Sequence, residues 1–147
     1  MRRFIFLIPL ILSLQACSKN QPISFGPYIA LQCGLIHGQI APSKFVFNKN
    51  NGSLYYFDVI TAKFKPLTKR IEEGAYFNSM SEFSSRIEED KLLITRIDYF
   101  QQDIQQKSFV KNTINLKSLV MNTVYLSRTG NKVRIKENCV WIDPKYS

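Results

Sequence analysis

The sequence predicts an all-β domain: an antiparallel meander of eight or nine short strands, closed as a barrel or packed as a sandwich, after a signal peptide and a short tether. Three observations predict it. Apolar and polar residues alternate with period two over 108–116 and 132–136, as in half-buried strands. Turn-forming clusters separate the apolar runs at hairpin spacing, most plainly Asn51-Gly52 between 45–48 and 54–58, and Asn-Gly is the strongest short hairpin signal. No stretch has the strand–helix–strand layout of a parallel unit, so a series of short strands of this kind favours a meander.

Taken in order, the chain opens with Arg2 and Arg3 before an apolar run over 4–14, broken only by Pro9 and Ser13, and then Gln15, Ala16 and Cys17. A positive start, an apolar middle and a small residue at the end form the layout of a secretory signal peptide. The run is about half the roughly twenty residues that a spanning helix needs. Leu14-Gln15-Ala16-Cys17 resembles the lipobox of bacterial lipoproteins, with Gln15 at the position where a small or β-branched residue is usual. The resemblance implies removal of residues 1–16, a diacylglyceryl thioether on Cys17 and acylation of the new amino terminus. Several acyl chains anchor a protein stably where one does not. In lipoproteins of cells with an outer membrane, Ser18 in place of Asp implies sorting outward, so the expected location is the outer membrane, facing the periplasm. Overall the chain is similar to small envelope lipoproteins, a likeness that implies an address and no activity.

With Cys17 lipidated, Cys33 and Cys139 remain out of three cysteines. An exported domain with one spare pair invites a disulfide. The loop it encloses spans nearly the whole domain, so the bond requires the first and last strands to be neighbours, which a closed meander supplies. Residues 17–27, with Pro22, Gly26 and Pro27 among polar residues, read as the lipidated Cys and a flexible tether. Residues 28–147 form one β domain, of a size that supports a single core.

Within the domain, 28–36 reads as a buried strand containing Cys33 and Gly34. The aromatic runs at 45–48 and 54–58 form a hairpin, and 59–67 repeats the theme, so two hairpins share their middle strand. Residues 66–80 read as a connection. Residues 79–91 offer a choice. Ser79 and Glu82 have capping-box spacing, with Phe83 and Ile87 four apart, but the apolar spacing fails at Lys91. The preferred reading is a hairpin turning at 88–91, with Leu93, Thr95, Ile97 and Tyr99 on one face of its second strand. Residues 101–106 read as a turn. Strands follow over 107–116 and 119–127, then a turn at 128–131. Two further strands cover 132–136, with Val133 and Ile135 inward, and 138–142.

The chemistry is sparse. His37 is the sole histidine and has no ligand or triad motif around it, so it reads as a loop residue, with no metal site and no cofactor expected. Phosphate-loop and G-x-S-x-G motifs are absent from the sequence. Asp98 and Asp103, or Glu88 and Glu89, are candidate paired carboxylates, though acids at turns are ordinarily solvated. The expectation is therefore that the protein is not an enzyme. The densest aromatic cluster, Tyr55-Tyr56-Phe57, puts Tyr56 opposite its neighbours. Tyr55 and Tyr56 are accordingly the candidate binding surface, with cross-strand packing as the alternative.

Net charge is +9, from 20 basic and 11 acidic residues, and +7 once Arg2 and Arg3 leave. Residues 44–70 carry six basic and one acidic residue, 72–103 three and eight, 107–147 eight and two. This balance suits a soluble surface first and anionic envelope components second. Export excludes nucleic acid as a partner. The leading functional expectation is a membrane-anchored, non-catalytic binding or structural protein of the cell envelope, acting on another envelope component. The alternative is a barrel that carries a small apolar ligand. Tyr28, Cys33, Asn138 and Cys139 are also placed similarly to residues of the membrane-bound C-type lysozyme inhibitors. That resemblance covers only the ends of the domain and implies binding to a basic enzyme, for which +7 is the wrong sign.

Overall fold

The computed structural model describes residues 21–34, 42–73, 78–100 and 103–147. Cys17, Ser18 and His37 lie outside them. The described chain is all β apart from a 3-10 turn at Pro144–Tyr146. The strands are β1 (Ser24–Phe25), β2 (Tyr28–Cys33), β3 (Ser43–Asn48), β4 (Leu54–Asp58), β5 (Lys63–Pro66), β6 (Lys69–Glu73), β7 (Asn78–Glu88), β8 (Lys91–Phe100), β9 (Asp103–Asn115), β10 (Val120–Leu126) and β11 (Lys132–Ile142). They make one antiparallel sheet, ordered β5-β4-β3-β2-β11-β10-β9-β8-β7-β6, with β1 paired to β2. The sheet is curled into a half-barrel. The expected all-β meander is present, with its first long strand beside its last.

Two segments change partners, and they curl the sheet. Residues of β11 up to Asn138 pair with β10, while Cys139 to Ile142 pair with β2. The segment from Lys63 to Glu73 behaves likewise. Its first half pairs with β4 and its second with β7, the switch falling at Leu67-Thr68. There the Leu67 N–H donates to the Leu54 carbonyl at 2.9 Å, and the Phe83 N–H donates to the Thr68 carbonyl at 2.8 Å. The two edges of the sheet are thus consecutive in the chain, and strands that switch neighbours in this way form corners.

The concave side holds the core. Ile29, Leu31 and Phe47 from one half meet Leu92, Ile94, Ile114 and Met121 from the other. Phe47, Leu31, Leu92, Ile94 and Ile114 are almost fully buried. Burying each such side chain contributes about 1.5–3 kcal/mol against solvent exposure. Cys33 and Cys139 face each other across β2 and β11 and form a disulfide. Because the Gly34 N–H donates to the Asn138 carbonyl at 3.0 Å, the next pair inward, Cys33 and Cys139, lies at a position without ladder bonds. Opposing side chains come closest at such positions.

A smaller cluster covers the convex face of β2–β5. Tyr28 stacks on Phe64 at 4.3 Å, meets Tyr55 edge-on at 4.9 Å, and Phe64 meets Phe57 at 5.1 Å. Ala30 and Val46 are buried on this same face. The C-terminal turn sits beside them, tied by the Lys44 ammonium to the Tyr146 carbonyl at 3.0 Å. Lys145 lies 4.2 Å from the Phe25 ring centre, which also docks β1, so the end of the expected tether folds back onto the domain from Ser24.

Several boundaries correct the sequence reading. The described residues form eleven strands where eight or nine were expected. The expected connection over 66–80 contains β6, and the expected turn over 101–106 already belongs to β9 from Asp103. The strands expected at 132–136 and 138–142 are one, because β11 continues while its neighbour changes. The hairpin reading of 79–91 holds as β7–β8, turning through Glu89 at φ 53°. Val133 and Ile135 occupy the concave face but remain 47 % exposed each, because β2 pairs with β11 only from Cys139 onward and does not extend over that end.

Candidate binding cleft

The ladder between β3 and β4 holds only two residue pairs, Val46 with Tyr55 and Phe47 with Leu54. At its closed end the turn is well made. The Asn48 N–H donates to the Ser53 carbonyl at 2.9 Å, and the Gly52 N–H to the Asn48 carbonyl at 2.7 Å. Asn48 and Asn51 side chains accept from Asn50 and Ser53 N–H groups. At the open end the strands diverge. Bonded pairs alternate along an antiparallel ladder, so the next would join Lys44 to Phe57, and pairing stops short of it.

A cleft of about 680 Å³ occupies the divergence. Its apolar lining includes Phe45, Leu54, Leu67 and Phe83. Its described cations are Lys44, Lys69, Arg70 and Arg96, and among the described residues that line it there is no Asp or Glu. Tyr55 and Tyr56 both border the cleft, from opposite faces of β4 as strand alternation requires. Tyr55 is half-buried against Tyr28, whereas Tyr56 is 44 % exposed. The sequence-predicted pair therefore divides, one ring packed and one presented.

The carboxylates stand one layer back. Asp98 accepts from Ser81 at 2.7 Å, from Ser108 at 3.3 Å and from Arg96 at 3.1 Å. Ser108 is 2 % exposed, so its bond to Asp98 answers the cost of burying a hydroxyl. Asp98 is therefore a structural acid that orients Arg96 at the cleft, not the solvated residue the sequence reading favoured. Alternation puts Asp98 on the concave face of β8, where the acid-rich composition of 72–103 concealed it. Glu82 holds Lys69 at 3.3 Å and accepts from the Tyr99 hydroxyl at 3.1 Å. That bond raises the Tyr99 pKa, with desolvation adding to it. Lys44 donates to a neutral carbonyl, that of Tyr146.

Asp58 ends β4 beside the cleft. Its carboxylate accepts from the Ile60 N–H at 2.9 Å and the Thr61 N–H at 3.3 Å and pairs with Lys65. The bond to Lys65 is the chief cause that lowers the Asp58 pKa from 3.8 to about 2, with the turn N–H groups assisting against desolvation. The same bond raises the Lys65 pKa. A depressed acid stabilises the fold above its unfolded pKa and loses that contribution as pH falls through its folded value. The Asp58 contribution is thus complete above about pH 4 and lost toward pH 2. Following the Asp58 side-chain carboxyl by NMR is expected to give a midpoint of about 2, moving up toward 3.8 in Lys65→Gln; an unchanged midpoint in that variant would remove Lys65 as the cause.

Among the described residues no group of three or more His, Cys, Asp and Glu side chains is placed to hold a metal ion. The chain matches no protein-family model, no curated protein and no solved structure.

Proposed function

We propose that this protein is a lipid-anchored, non-catalytic binding domain exported to the cell envelope, held to a membrane through Cys17 and presenting the cleft to an envelope component. The observation that carries this reading is the disposition of the cysteines. Cys33 and Cys139 consume one another in a bond deep in the domain, and of the three cysteines in the sequence the lipobox Cys17 is the one outside that bond. A buried disulfide joining the first long strand to the last suits an oxidising, extracytoplasmic compartment.

The test is the intact mass of the protein extracted in detergent from its own host, before and after reduction and alkylation. The expected species lacks residues 1–16, carries added acyl chains, and gains two alkyl groups only after reduction. A full-length, unacylated chain with Cys17 alkylated under native conditions would overturn the anchor.

The small-carrier reading is favoured by one observation, the apolar wall of Phe45, Leu54, Leu67 and Phe83. The concave interior beyond that wall is filled by the protein's own side chains, so a ligand would occupy the cleft and not the barrel axis, beside four cations.

A further inference from the structure

We infer that the cleft between β3 and β4 binds an amphiphilic phosphate, a phosphate ester bearing an aromatic ring or acyl chain; this deepens the reading of the protein as a binding domain and rests on it. Four features converge. The first is shape. The cleft exists because the β3–β4 ladder stops after two pairs, and its volume of about 680 Å³ falls within the roughly 300–1,000 Å³ typical of small-molecule sites. The second is charge. Lys44, Lys69, Arg70 and Arg96 come from β3, β6 and β8, three strands that the curl of the sheet brings to one opening. Arg96 is oriented by Asp98, and a guanidinium held in place is suited to planar, bidentate recognition of an oxyanion.

The third feature is the apolar lining. A free inorganic ion gains nothing from Phe45, Leu54, Leu67 and Phe83, whereas an ester group buries surface against them. Tyr56 borders the cleft and is 44 % exposed, and a tyrosine can contact apolar and polar parts of one ligand. The fourth is support. The hairpin that carries Phe47 and Leu54 is anchored on β7 through buried Gly52, and Leu67 is fixed to Leu54 by a main-chain bond. The lining therefore stands on paired strands and does not depend on a loose loop.

The experiment is calorimetry on the whole protein purified in detergent, with three probes: inorganic phosphate, phenyl phosphate and dihexanoyl phosphatidic acid. At least one ester is expected to bind about tenfold or more tightly than inorganic phosphate, from the added apolar burial. A Lys44→Gln, Arg70→Gln variant is expected to weaken that ester by about tenfold or more, as loss of charge-assisted bonds requires. A control with the same charge change, Lys132→Gln, Lys136→Gln on β11, is expected to stay within about twofold. Circular dichroism and a non-reducing gel check that each variant keeps its fold and disulfide. Preference for phenyl phosphate assigns a soluble ligand, and preference for the phosphatidic acid assigns a lipid headgroup. No binding of either ester, equal binding of inorganic phosphate, or equal loss in the β11 control would overturn the inference. The anchor is read by mass and the cleft by heat, so either can fail without the other.

Discussion

A Cys33→Ala, Cys139→Ala variant is expected to melt about 10 °C below the native protein. The two residues are 106 apart in sequence, and closing a loop of that size stabilises a fold by at most about 4–5 kcal/mol through the unfolded chain, with native disulfides typically contributing about 2–5. For a domain of this length each kcal/mol moves the melting temperature by about 2–8 °C, so a loss of about 3 kcal/mol gives a shift near 10 °C. The structure adds a reason for the upper part of that range. The seam between β2 and β11 holds four residue pairs, Cys139-Cys33 to Ile142-Ala30, whereas β7 and β8 share ten. This short seam joins the two halves of the sheet, and the disulfide closes its inner end. Thermal melts of the native protein with and without reductant test the same bond with no change of sequence. Equal melting temperatures in the two conditions would show that the bond contributes nothing to stability.

The strands whose apolar residues alternate were legible in the sequence, and the edge strand β6 was not. β9 shows its period-two pattern because Ser108, Val110, Asn112 and Ile114 all face the concave side and are buried. The Asn-Gly turn announced β3–β4 because the turn chemistry is local. By contrast β6, Lys-Arg-Ile-Glu-Glu, has one apolar residue, and Ile71 is 64 % exposed. It is an edge strand defined by its pairing with β7, a long-range fact with no local pattern. The corners were hidden for the same reason, since a strand that changes neighbours looks like any other strand in sequence.

The candidate site was legible only in part. Tyr55 and Tyr56 stood out as aromatics, and the basic excess of residues 44–70 includes Lys44, Lys69 and Arg70. Arg96 lies in the acid-rich stretch and reaches the cleft only through the fold. The cleft itself depends on where the β3–β4 ladder ends. The run of apolar residues on both strands predicted continued pairing, and nothing in either strand marks the point of divergence.

Gly52→Ala is expected to destabilise the protein by about 3 kcal/mol or more, and Gly130→Ala by only about 1 kcal/mol. The comparison isolates packing from backbone conformation. Both glycines sit in the left-handed region, at φ 78° and 82°, where any L side chain costs about 1–2 kcal/mol. They differ in what a Cβ would meet. At Gly130 there is no heavy atom within 4 Å, whereas at Gly52 the Cβ would lie 2.5 Å from the Ile87 nitrogen and 2.6 Å from the Arg86 carbonyl carbon. Those are main-chain atoms of β7, held there in the β8 ladder through Arg86 with Leu93 and Ile87 with Leu92, so the strand yields only by straining that ladder. The hairpin tip must therefore lift, and Phe47 and Leu54 lift with it out of the core. Denaturant titrations of the two variants measure the difference directly. Because the tip also fixes where β3 and β4 part, Gly52→Ala is further expected to disturb the cleft while Gly130→Ala leaves it unchanged. Equal losses of stability in the two variants would mean that contact with β7 does not hold the hairpin in place, and the β3–β4 divergence would then need another cause.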